Sequence, residues 1–109
     1  MTIVETYTIR VYMAGDIAHA KQLLRAECYG RGLCVTIEPT TFIYTGGEEA
    51  GFVVGFVNYP RFPSKPAELM ERAKDMVYEL MLPLNQRSAL LVAPDKTIWI
   101  TVEPPGART

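Results

Sequence analysis

The residues best suited to chemistry in this chain lie near its middle. Glu48 and Glu49 follow the pair Gly46-Gly47, and Phe42-Ile43-Tyr44 leads into them. Two adjacent carboxylates at a hairpin tip could form one wall of a site. In a turn, both can equally point into water, where they repel each other little. A Gly-Gly pair lets the backbone take positive φ and approach a ligand closely. Tyr44 adds a stacking face and a hydroxyl. The other reactive residue types offer less. His19 is the one histidine, on a helical stretch beside Ile17, and reads as a surface residue. Cys28 and Cys34 flank Gly30-Arg31-Gly32 with no His at metal-ligand spacing, so no zinc site is indicated. Asp16 reads as a helix cap rather than an acid. There is no Ser-His-Asp pattern, phosphate loop or dinucleotide fingerprint.

The glycines and carboxylates sit at the tip of an apolar hairpin. It runs from Leu33 to Asn58 and turns over Thr45-Gly46-Gly47-Glu48-Glu49. Leu33-Cys34-Val35-Thr36-Ile37 is the incoming arm, and Gly51 to Val57 the returning one. Pro39 lacks an N–H, which places the first arm at a sheet edge or implies a bulge. Before the hairpin, Glu5–Tyr12 alternates: Tyr7, Ile9 and Val11 point one way, Thr8, Arg10 and Tyr12 the other. A helix follows Asp16, carrying Ile17, Ala20, Leu23 and Leu24, with Gly30 as its expected C-cap. After the hairpin, Ser64 is the expected N-cap of a second helix with Pro66 in its first turn. Leu69, Ala73, Met76, Val77 and Leu80 form its apolar face, and Pro83 ends it. Ser88–Val92 and Thr97–Val102 read as strands joined by a turn at Pro94-Asp95-Lys96, and Trp99 lies on the last. Glu103–Thr109 reads as a frayed tail.

This order predicts an α+β, ferredoxin-like βαββαβ antiparallel sheet with both helices on one face and an extra C-terminal strand. The opposite sheet face then needs a partner subunit, a ligand or a nucleic acid to cover it. The 109 residues fit a single domain, with a core over 5–102. A chain of this size buries roughly 65% of its unfolded surface and has little room for a private cavity, so a groove or subunit interface is the expected site. The hydrophobic share of 49% leans the same way, towards an oligomer. With 11 basic and 12 acidic residues, the net charge is −1, without the clustered Lys and Arg that nucleic-acid backbones require. Gly55-Phe56-Val57-Asn58-Tyr59 matches the second half of an RNA-recognition motif, but Phe52 stands where a basic residue belongs. Glu5 and Arg10 interrupt any secretory segment, and no apolar run is long enough to span a bilayer. Two free thiols in a reducing cytoplasm are expected.

From Tyr7 to Ile100 the chain resembles the phage-encoded S-adenosylmethionine lyases, long described as hydrolases. The resemblance rests on Leu33-Cys34-Val35-Thr36-Ile37-Glu38-Pro39-Thr40, on Glu48-Glu49 before the third strand, and on the Ala73–Leu80 helix leading to Ala89-Leu90-Leu91-Val92. It implies a homotrimer of ferredoxin-like, PII-like subunits in the cytoplasm of a bacterial host, with S-adenosylmethionine bound between neighbours. It implies cleavage to methylthioadenosine and homoserine lactone, without metal or cofactor, depriving host restriction–modification systems of their methyl donor. On that reading Glu49 is the catalytic anchor for the substrate ammonium or ribose, with Glu48 as its neighbour or substitute. Tyr44 stacks on adenine or binds the substrate carboxylate, and Gly46 and Gly47 present backbone to the ligand. The alternative on the same scaffold is a non-enzymatic PII-like module that binds a small nucleotide or a protein.

Overall fold

The computed structural model describes residues 1–102, and the expected tail Glu103–Thr109 lies outside them. Seven elements follow one another: β1 (Thr8–Ala14), α1 (Ile17–Arg31), β2 (Thr36–Tyr44), β3 (Gly47–Val57), α2 (Pro66–Met81), β4 (Ser88–Val92) and β5 (Thr97–Thr101). The strands form one sheet in the order β2-β3-β1-β4-β5, antiparallel at every step. The first four strands have the ferredoxin-like arrangement, and β5 folds back beside β4 as the expected extra strand.

Period-two alternation divides the sheet into two faces. Ile9, Val11 and Met13 of β1 stand opposite Phe56, Val54 and Phe52 of β3, and all six are buried. Ala89 and Leu91 of β4 and Ile100 of β5 extend the same layer. Ala20 and Leu24 from α1, and Leu69, Ala73, Met76, Val77 and Leu80 from α2, join these strand residues in one hydrophobic core. Both helices therefore cover one face. Burial of side chains such as Phe52 and Leu91 contributes roughly 1.5–3 kcal/mol each relative to exposure. Arg31 links the helices, reaching Glu27 at 3.1 Å and Asp75 at 3.7 Å.

Local signals set most element ends. The Asp16 carboxylate accepts from the Ala18 N–H at 2.9 Å, capping α1 as expected. The C-cap differs from expectation. Helix α1 continues through Gly30 to Arg31, and Gly32 closes it at φ +66°, donating its N–H to the Cys28 carbonyl. Only Gly32 adopts the left-handed conformation that ends the helix. The start of α2 is also one residue later than expected. Lys65 is the N-cap, its N–H donating to the Glu68 carboxylate at 3.2 Å. Ser64 is turned elsewhere, its hydroxyl accepting from Arg72 at 3.1 Å.

The hairpin departs most from expectation. Strand β2 passes straight through Pro39, which pairs with Phe52 in unbroken register. The missing N–H is tolerated because β2 is an edge strand. Strands β2 and β3 also extend further towards the tip, so that Tyr44 pairs with Gly47 and only Thr45-Gly46 remain as the turn. Gly46 carries the positive φ, +87°. Gly47, Glu48 and Glu49 are strand residues, not turn residues. Because β1 ends where Ala14 meets Gly51, the tip reaches past the body of the sheet.

Candidate functional site

The sheet face turned away from the helices carries the candidate site, a cavity. Tyr12 of β1, Leu90 of β4 and Trp99 of β5 stand side by side across it. One step towards the hairpin tip, small residues leave a floor: Ala14 on β1 and Ser88 on β4. Beyond the floor rises a second wall, where Glu49 of β3 stands opposite Phe42 of β2, with Tyr44 beside them. The Gln86 side chain, packed 3.5 Å from where a Cβ on Gly15 would lie, closes one end. The result is a cavity of about 400 Å³ between two walls of large side chains.

A column of glycines on β3 shapes the tip-side wall. Tyr44 lies over Gly47, its ring 3.2 Å from the position of an added Cβ. Phe42 lies over Gly51, where a Cβ would collide with the Phe42 ring and with the Met13 carbonyl oxygen. Both rings can settle against the strand only because β3 has no side chain there.

The structure separates the two candidate carboxylates. Successive residues of a strand point to opposite faces. Glu49 faces the cavity, and Glu48 faces the helix side, opposite Ile43. They are not side by side, as a turn would have placed them. Glu49 and Tyr44 line the cavity; Glu48, Gly46 and Gly47 do not. Gly46 sits in the turn with open space around it, and Gly47 serves as the bed for Tyr44. Among the described residues Glu49 is the only charged one lining the cavity, and it is exposed.

Tyr12, Phe42, Ser88, Gln86 and Trp99 complete the site without having been singled out as site residues from sequence. The alternation of β1 had already put Tyr12 on the face opposite Ile9 and Val11. The same alternation around Ile98 and Ile100 puts Trp99 there too. No local signal marks Gln86. The partial RNA-recognition motif is overturned: Phe56, whose ring would have to meet a base on the open face, is buried in the core.

A second groove, about 450 Å³, lies between α1 and the start of β2 and contains Cys28 and Cys34. Both cysteines are free thiols. Burial, then the neighbouring Cys34 and Glu27, push the Cys28 thiol pKa up. The neighbouring Cys34 pushes the Tyr59 phenol pKa up. Tyr7 is raised by burial and then by Asp95, to which its hydroxyl donates at 3.5 Å. Among the described residues no three His, Cys, Asp or Glu side chains gather as metal ligands would, and no helix is long and apolar enough to cross a membrane.

No protein-family model matches the chain. No curated protein matches its sequence. Two solved structures share its fold. One is a phage SAM lyase in complex with S-methyl-5'-thioadenosine, 13% identical, with a TM-score of 0.73 over 94% of this chain and 95% of that one. The other is a phage SAM lyase in the apo state, also 13% identical, with a TM-score of 0.71 over 90% of each chain. The chain shares the α+β fold of these lyase structures over at least nine-tenths of its length.

Proposed function

We propose that this chain is an S-adenosylmethionine lyase that releases 5'-methylthioadenosine and L-homoserine lactone. The observation that carries the reading is the shared fold, which in the similar phage lyase holds S-methyl-5'-thioadenosine. The open-face cavity supports it, with aromatic walls and one carboxylate.

The reaction asks little of a protein beyond positioning. The substrate's own carboxylate oxygen attacks the carbon next to the sulfonium. A C–O bond forms and closes a five-membered ring as the C–S bond breaks. The electron pair stays on sulfur, which becomes a neutral thioether. No proton moves, and the carboxylate and sulfonium charges cancel each other. Holding the flexible substrate in the attacking shape can supply up to ~7–11 kcal/mol of barrier lowering. Because positive charge on sulfur is lost in the transition state, a carboxylate placed against the sulfur would favour the ground state and slow the step. Glu49 therefore acts best on the substrate ammonium or ribose hydroxyls. Its position on the tip-side wall, away from the cavity floor, suits that role. Tyr44 contributes a hydroxyl to the same wall. Glu48 takes no part within one protomer, since its strand position turns it away.

The active form is a homotrimer with the substrate between neighbours. The sheet face supports this, since among the described residues no helix packs on it and the cavity there is open along one side. Loss of the methyl donor would blunt host restriction–modification. The test is incubation of the purified protein with S-adenosylmethionine followed by chromatography. Methylthioadenosine and homoserine lactone in equal amounts are expected. Glu49→Gln should lower kcat/KM by roughly 10- to 100-fold, the share of a charge-assisted hydrogen bond. Unchanged substrate with retained methylthioadenosine binding would instead favour a non-enzymatic nucleotide-binding module.

A further inference from the structure

The wall of the cavity opposite Glu49 has no role in the bond-breaking step. It consists of Trp99, Leu90 and Tyr12 in one row across three strands. Trp99 is the only tryptophan, and it is 62% exposed although it sits in the sheet. A large apolar ring left uncovered within one protomer, beside other apolar side chains, marks a surface that takes a ligand or a neighbouring subunit. The other aromatic rings of the cavity are already engaged, Phe42 against Gly51 and Tyr44 against Gly47.

The row's placement also sets a length. Glu49 lies four residues along β3 from Val53, which pairs with Tyr12 in the row. At the strand rise this is about 13 Å along the sheet, and three strand spacings add about 14 Å across it. Glu49 and Trp99 therefore stand at opposite corners, about 20 Å apart between Cα atoms by that geometry, with both side chains lining one cavity. A ligand that touches both must be long, with a cationic or hydroxyl-bearing end and a flat apolar end. A free amino acid is too short. A purine nucleoside carrying an aminoalkyl chain fits.

We propose that Trp99 is the stacking platform for the purine ring of the substrate, with Leu90 and Tyr12 extending the surface on which the ring lies. This assignment rests on the proposed sulfonium substrate and adds the residue that recognises its nucleoside end. It also makes the protein its own reporter, because the only indole changes environment when the base arrives.

The experiment follows tryptophan emission while methylthioadenosine is titrated into the full-length protein, with methylthioribose as the base-free control. Methylthioadenosine should quench and shift the emission, and methylthioribose should leave it unchanged. By calorimetry, Trp99→Ala should weaken methylthioadenosine binding about tenfold or more, as removal of a base-stacking ring does. Trp99→Phe should restore most of it. Where turnover is measurable, KM should rise in Trp99→Ala with kcat little changed, since stacking is equal in ground and transition states. The assignment is overturned by methylthioadenosine binding that leaves the emission unmoved, or by no binding at all. It is also overturned if Trp99→Ala binds within twofold of the parent, or if light scattering shows that the variant has lost its oligomer. Cleavage of S-adenosylmethionine by the parent alongside any of these results would leave the lyase reading standing without Trp99. Base-dependent quenching without cleavage would support Trp99 and refute the lyase.

Discussion

Gly51→Ala tests how the sheet shapes its own cavity. Gly51 is buried, and its φ is one that alanine also adopts, so backbone strain does not enter. The difficulty is space. An added Cβ would collide with the Phe42 ring and with the carbonyl oxygen of Met13, and it would lie 3.1 Å from the Ala14 Cα. The ring can swing aside, but the β1 backbone is held by its pairing with β3 and β4. Overpacking of this kind costs about 1–3 kcal/mol. Restricting the unfolded chain by replacing glycine returns about 0.4–1 kcal/mol. The net loss is about 1–2 kcal/mol, a fall in Tm of about 4–8 °C for a domain this size. Gly55→Ala is the control. There the only close contact is the Thr36 hydroxyl, the movable end of a side chain, so stability should stay within about 0.5 kcal/mol of the parent. Thermal melts at one fixed protein concentration would measure both, because the Tm of the proposed oligomer would depend on concentration. Methylthioadenosine titration would add the functional side: displacement of Phe42 should weaken binding in Gly51→Ala and not in Gly55→Ala. Equal melting points and equal affinities in the two variants would refute the idea that close strand approach at Gly51 sets the tip-side wall.

Other outcomes follow from the same geometry. On the proposed activity, Glu48→Gln should keep the parent's kcat/KM while Glu49→Gln shows the fall of roughly 10- to 100-fold, with equal melting points in both; equal falls would mean that Glu48 reaches a site on a neighbouring protomer. Leu91→Ala removes a fully buried side chain and should cost about 2–5 kcal/mol in urea unfolding, and a smaller loss would mean the core closes over the gap. At mildly alkaline pH, alkylation followed by peptide mass analysis should label exposed Cys34 before Cys28, whose raised pKa leaves less thiolate. The same shift has a sign in stability. The folded state favours the neutral Cys28 thiol, so its contribution is intact below the ordinary thiol pKa and is lost as pH rises through the higher folded value. Cys28→Ala should flatten the alkaline limb of a stability-against-pH curve.

Much of the fold was legible because its signals are local. The apolar stripe from Leu69 to Leu80 announces α2 from spacing alone, and the carboxylate of Asp16 announces the start of α1. Alternation in β1 already assigned Tyr12 to the open face. Errors arose where two local signals competed within a residue or two. Gly30 and Gly32 are equally good stops for a helix, and only the packed chain shows that Gly32 takes the left-handed turn. Ser64 is the better capping residue by type, yet the bond that the Lys65 N–H donates to the Glu68 carboxylate sets the start one position later.

By itself, the amino-acid order determined the sequence of elements, which faces of them are apolar, and that one sheet face would be left without a helix. Those properties depend on periodicity over a few residues, and the chain carries that periodicity in plain view. The tertiary structure alone decided that Glu48 and Glu49 part to opposite faces, because register across β2 and β3 carries both arms to Tyr44 and Gly47 and leaves the glutamates inside a strand. It alone brought Trp99 and Ser88 to the same cavity as Glu49, because strands distant in sequence become neighbours only through the order β2-β3-β1-β4-β5. Pairing between distant strands is fixed by how the whole core packs, and no short window of residues contains it.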